Sequence, residues 1–254
     1  ALPITYLILF KYMPMIGVQI AFRKFTITGG IWNSEWVGLD QFIKFFHSYQ
    51  FARVLPNTLR ISFYSLIAGF PFPIILALSL NAMQSARYRK VIQTVTYIPH
   101  FISIVVLVGM IIAIMNPRSG MYGTLVKAIT GVEPEDLLAK SEVFPHLYVW
   151  SDIWQNMGWD TIIYTAVLSS VNIELHEAAE IDGASRLKRV LHIDLPTILP
   201  TAIIMLILSS GGIMDVGFEK VYLMQNNLNL STSEVISTYV YKVGLGQGSS
   251  DFSY

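Results

Sequence analysis

Glu174-Leu-His-Glu-Ala-Ala-Glu-Ile-Asp-Gly-Ala-Ser-Arg-Leu-Lys-Arg-Val-Leu-His-Ile-Asp-Leu-Pro196 carries five carboxylates, so it cannot itself lie in hydrocarbon. The stretches on either side, 147–171 and 197–216, are apolar and about the length that a membrane helix needs, roughly 20 residues. A charged connection between two such stretches defines a polytopic membrane chain. Working outward, three further stretches qualify: 1–22, interrupted by Lys11 and Pro14, then 57–83 and 91–115. Each holds Pro, Gly or polar residues, which a span tolerates when neighbouring helices satisfy the freed backbone groups. The expectation is therefore an all-α bundle of helices packed on protein, forming one transmembrane domain over 1–254.

Composition agrees. Charged residues make up 13% of the 254, about half the share in soluble globular proteins, and mean hydropathy is +0.52. The 53% hydrophobic content excludes intrinsic disorder, and the absence of Cys excludes a disulfide scaffold and thiolate chemistry. With 17 acidic and 17 basic side chains there is no electrostatic footprint for nucleic acid. The chain starts without Met and is read as trimmed.

Orientation follows from Lys and Arg. With the first span running outward, the inside connections 84–90 and 172–196 hold six basic side chains in 32 residues, against nine in the 103 residues outside. The inner density is about twice the outer. In the first outer segment, Trp32, Trp36, Phe42, Phe45 and Phe46 either sit at the headgroup level or pack as small interfacial helices.

Within the inner connection, Ala178, Ala179 and Ile181 follow acidic residues and precede Gly183, reading as a short helix stopped by glycine. A second helical stretch from Arg186 to Ile193 is expected to end before Leu195 and Pro196. Small residues at Ala178, Ala179, Gly183 and Ala184 admit a close backbone, while Glu177, Glu180 and Asp182 offer charge to a partner. The segment is suited to docking.

Glu177-Ala178-Ala179, three residues, Gly183, nine residues and Ile193-Asp194-Leu195-Pro196 together match the EAA signature of permease subunits in binding-protein-dependent ABC importers. Tyr12 to Gly17, Gly38 to Phe42, Tyr97 to Ser103 and Val216 to Glu219 extend the resemblance over most of the chain. It is similar to the maltose-type carbohydrate branch, in particular to permeases for oligosaccharides from polysaccharides such as pectin and alginate. The resemblance implies a type I importer permease in the bacterial plasma membrane, with a sixth span beyond Phe252-Ser253-Tyr254. It implies a second permease subunit, different from this one, two cytoplasmic ATPase subunits and an extracytoplasmic solute-binding protein. It also implies that 172–196 is the coupling loop. Glu177, Ala178, Ala179, Glu180, Asp182 and Gly183 would then meet the ATPase, with Glu177 pairing a basic group and Gly183 making the turn. ATP and Mg would reside on the ATPase subunits, and this chain would bind no cofactor and no metal.

In the fourth stretch, Asp152, Gln155, Asn156, Trp159 and Asp160 share one helical face. Neutral polar groups hydrogen-bond sugar hydroxyls and an indole stacks on a sugar ring, so Asp152, Gln155, Asn156 and Trp159 are candidates for a saccharide path, as is His100 from the third stretch. The bland reading is interhelical hydrogen bonding without substrate. Ser209, Ser210, Gly211 and Gly212 allow close helix contact or a break lining a cavity, with Asp215 beside them expected to be paired. No phosphate-cradling loop, zinc-protease helix or nucleophile elbow occurs, so the chain is not read as an enzyme. The competing function is an ion-coupled secondary transporter, because Asp152, Asp160, Asp215 and His100 are intramembrane groups able to relay protons.

Overall fold

The helix Phe144–Leu168 is the element on which residues 57–233 pack, and ten of its 25 residues are buried. The computed structural model describes residues 2–26 and 29–246; Ala1, Ile27, Thr28 and 247–254 lie outside it, together with the end after which a sixth span is expected. Apart from the paired strands Arg23–Lys24 and Glu35–Trp36, the described regular structure is helical, as expected of an all-α membrane bundle.

Among the described residues, three helices are long and apolar enough to cross a membrane: Leu2–Phe22, Tyr49–Asn81 and Arg186–Gly211. A fourth candidate is the pair Ala86–Phe101 and Ile104–Met115, bent by 100°. The apolar run 91–115 is therefore two helices rather than one. Pro99 brings no N–H to the ladder, Ile102 and Ser103 are extended, and Ser103 Oγ restarts the helix by accepting from the Val106 amide at 3.4 Å. Phe144–Leu168 is about 37 Å long, enough to span, yet its row of polar residues makes it too hydrophilic to stand in lipid alone. The stop expected before Pro196 is absent. The chain runs helically from Arg186 to Gly211, with a wide turn at Val190–Asp194 that lets the helix pass the proline.

The chain divides into two compact units, Asn57–Ser233 and Ala1–Pro56 with Glu234–Tyr254. The core of the first includes Ala77, Tyr164, Leu168, Ile198 and Ala202, all buried. Small Ala77 and Ala202 let the helix axes approach while Tyr164 and Leu168 fill the space between. In the second unit no residue of Leu2–Leu7 or Met13–Phe22 is buried. Phe22 stacks on Trp36 at 5.6 Å and meets Phe42 at 5.2 Å, so the aromatics of this segment pack around a short helix, Asp40–Phe46. Glu234 binds both Arg53 and Lys242 there.

Candidate functional site

Two constellations stand out, an exposed elbow and a polar cavity. The elbow begins with the helix Ile173–Ile181, which Asn172 caps by accepting from the Glu174 amide at 3.0 Å. It ends in Gly183 at φ +76°, a left-handed position that suits glycine. The Ala184 amide reaches back to the Ala179 carbonyl at 2.8 Å and the Gly183 amide to Glu180 at 3.0 Å, closing the helix end. Ser185 then caps the next helix through the Lys188 amide.

Side chains hold the two limbs together. Arg189 pairs with Glu180 at 2.7 Å, and His176 Nε2 lies 3.2 Å from Asp194 Oδ1. Asp194 is only 2% exposed and also accepts from Asn81 Nδ2 at 3.1 Å, tying the elbow to the end of Pro71–Asn81. What the elbow presents outward are Glu177, Ala178, Glu180, Asp182 and Gly183, with Ala179 half-buried beneath. Among the described residues Glu177 and Asp182 make no ion pair. Ile181 is 87% exposed and Leu187 67%. Acidic groups and bare apolar side chains thus lie together on the exposed face of a pinned turn.

The cavity, of about 360 Å³, lies within the unit Asn57–Ser233. Ser62, Ser65 and Gly69 line it from one helix, Tyr148, Asp152, Asn156 and Asp160 from Phe144–Leu168, and Ser209, Gly212 and Asp215 from the end of Arg186–Gly211 onward. The break after Gly211 thus opens onto a cavity. Asp215 is exposed and makes no ion pair among the described residues, contrary to the pairing expected for it.

The five path candidates separate here. Asp152 and Asn156 line the cavity. Asn156 Nδ2 donates to Asp152 Oδ1 at 3.3 Å, so its Oδ1 must accept from His100 Nδ1 at 2.9 Å. His100 in turn stacks flat on Trp159, 4.4 Å between centroids and 6° between planes. One face of the Trp159 indole is therefore covered by the imidazole. Gln155 sits elsewhere. It is 6% exposed and donates to the Ile102 carbonyl at 2.8 Å, satisfying an acceptor released by the helix break.

Lys220 escaped the sequence reading. It is 2% exposed, and its Nζ donates to the Tyr148 carbonyl at 3.0 Å and to Asp152 Oδ1 at 3.2 Å. The available signal was its isolation, since no other Lys or Arg occurs between Arg189 and Lys242. Among the described residues no group of His, Asp and Glu is arranged to hold a metal ion.

Comparison with known proteins agrees with this architecture. Residues 69–248 match the family described as binding-protein-dependent transport system inner membrane component. Protein LplB of Bacillus subtilis is 42% identical over 98% of this chain and 78% of its own length. The polygalacturonan/rhamnogalacturonan transport system permease protein YteP of the same organism is 43% identical over 98% and 77%. A crystal structure of a bacterial ABC transporter involved in the import of the acidic polysaccharide alginate contains a chain that superposes with a TM-score of 0.90 at 39% identity, covering 99% of this chain and 84% of that one. With 180 residues matched by the family model and such relatives along nearly its whole length, the chain belongs to the binding-protein-dependent transport system inner membrane components.

Proposed function

We propose that this chain is a transmembrane subunit of an ATP-driven oligosaccharide importer in the bacterial plasma membrane, and that acidic saccharides are among its substrates. The observation that carries the reading is the elbow, whose outward face of Glu177, Ala178, Asp182 and Gly183 is held rigid from behind by Asp194, His176, Asn81 and Arg189. The elbow docks a cytoplasmic ATPase, where nucleotide and Mg bind, and closure of the ATPase pair tilts the spans as rigid bodies between two states. Arg186–Gly211 runs unbroken from elbow to cavity, so a push on one reaches the other along a single helix.

The cavity forms this chain's face of the saccharide path. Asp152, Asn156 and the hydroxyls of Ser62 and Ser209 supply acceptors and donors for sugar hydroxyls, and Ser65 Oγ is buried in the wall without a partner among the described residues. A second permease subunit supplies the opposite face, and an extracytoplasmic solute-binding protein delivers the sugar. The relatives support the substrate class: one is named for polygalacturonan and rhamnogalacturonan transport, and a matching transporter structure includes an alginate pentasaccharide-bound periplasmic protein.

The test is uptake and ATP hydrolysis measured together in proteoliposomes holding the whole assembly. Glu177→Lys is expected to lose uptake while ATP hydrolysis persists. Normal uptake by this variant would overturn the docking role. A second reading, an ion-coupled carrier, draws on the presence of Asp152, Asp160 and Asp215 around one cavity. Uptake that requires an ion gradient and no ATPase would select it.

A further inference from the structure

Among the described residues, the cavity wall carries three carboxylates, Asp152, Asp160 and Asp215, and no Lys, Arg or His. Such a wall should repel an acidic saccharide, since charges a few ångströms apart interact strongly away from bulk water. The cationic group behind it is Lys220. Its ammonium is almost wholly buried, 4.7 Å from the centroid of the Tyr148 ring, and bonded to the Tyr148 carbonyl and Asp152 Oδ1. It comes from the short helix Phe218–Met224, which is itself fixed by the buried Val221 and Met224.

The bonds on Asp152 are one-sided. Lys220 and Asn156 both donate to Oδ1, and Oδ2 receives neither. With Asn156 held in turn by His100, the row Lys220, Asp152, Asn156, His100 fixes the carboxylate in one orientation. One oxygen is locked and the other keeps its lone pairs.

We propose that Lys220 is a positioning residue for the saccharide path: it orients Asp152 and offsets its charge, so that Asp152 accepts from sugar hydroxyls without adding to the negative field of Asp160 and Asp215. This rests on the reading of the cavity as the path. A purely structural Lys220 would merely pin Phe218–Met224 to the bundle and would affect all substrates alike.

The experiment measures KM and kcat for uptake by the complete assembly in proteoliposomes, using a trigalacturonate and its carboxyl-reduced neutral counterpart. Lys220→Gln should raise KM for the acidic sugar by about tenfold relative to the neutral one, with kcat little changed. Lys220→Arg should stay near the unsubstituted protein, and Lys220→Gln combined with Asp152→Asn should bring the KM ratio back. Asp152→Asn alone, which leaves the ammonium uncompensated, should shift the ratio towards the acidic sugar; this variant decides the matter if Lys220→Gln fails to assemble. An equal loss for both sugars, a double variant that does not restore the ratio, or an unsubstituted assembly that takes up only the neutral sugar overturns the inference. Asn156→Leu tests the underlying reading separately: if it changes neither KM, the cavity is off the path and both statements fall, whereas a changed KM with unmoved Lys220 variants removes only the role of Lys220.

Discussion

Gly158 packs against the main chain of Thr96 so closely that a Cβ on Gly158 would lie 2.1 Å from the Thr96 carbonyl oxygen. No side chain can relieve that contact by rotating, because the obstacle is backbone on Ala86–Tyr97. Gly158→Ala is therefore expected to force two helices apart and cost about 1–3 kcal/mol or more, read as a lower denaturation midpoint of the purified protein. Gly109→Ala, where no atom lies within 4 Å of the added methyl, should be neutral or slightly stabilising. Equal behaviour of the two variants would contradict the packing described.

The turn of the elbow depends on backbone rather than on side-chain size. Gly183 sits at φ +76° with open space around it, so a substitution there pays only the left-handed conformation. Gly183→Asn, which tolerates that region, should retain coupled uptake, while Gly183→Val should strain the turn by about 1–2 kcal/mol and uncouple hydrolysis from transport. Parallel loss in both variants would point to a steric clash with the partner instead.

Asp194 is the buried knot behind the elbow. Asp194→Ala leaves His176 and Asn81 without their shared acceptor, and hydrogen bonds to a charged group contribute about 1.5–3 kcal/mol each. Amide hydrogen exchange in Ile173–Ile181 should rise by at least tenfold, with exchange in Phe144–Leu168 unchanged. Unaltered protection of Ile173–Ile181 would show that the caps at Asn172 and Gly183 suffice.

Gln155 and Asn156, adjacent in sequence, should behave differently. Gln155→Leu strands the Ile102 carbonyl and should lower stability by about 1–3 kcal/mol while leaving KM for saccharide unchanged. Asn156→Ala removes a cavity group and should raise KM with less effect on stability. Thermal denaturation and uptake kinetics on both variants give the comparison.

The first helix of the elbow and its glycine stop at Gly183 were legible in the chain. Gly183 acts on residues within a few positions of itself, so composition and spacing carry its meaning, whereas the caps at Asn172 and Ser185 came only with the structure. The continuation past Pro196 was not legible, because whether a helix stops or widens at a proline depends on what packs against it, here Ala77, Tyr164 and Leu168 around its own Ile198 and Ala202. The polar face of Phe144–Leu168 was visible as periodicity, but periodicity could not separate Asn156 on the cavity from Gln155 on a freed carbonyl. That distinction belongs to the break at Ile102-Ser103, on another helix.

From the chain alone came the membrane class, the helical architecture, the family and the glycine-stopped turn at Gly183. All of these rest on hydrophobic run length, on local capping and on a spaced motif, which are properties of neighbours in sequence. Folding in three dimensions decided the rest: the 100° bend, the cavity joining residues 61 to 216, the stack of His100 on Trp159, and the meeting of Lys220 with Asp152 across 68 positions. A buried charge must find its counter-ion wherever the fold brings one, and no local pattern announces where that will be.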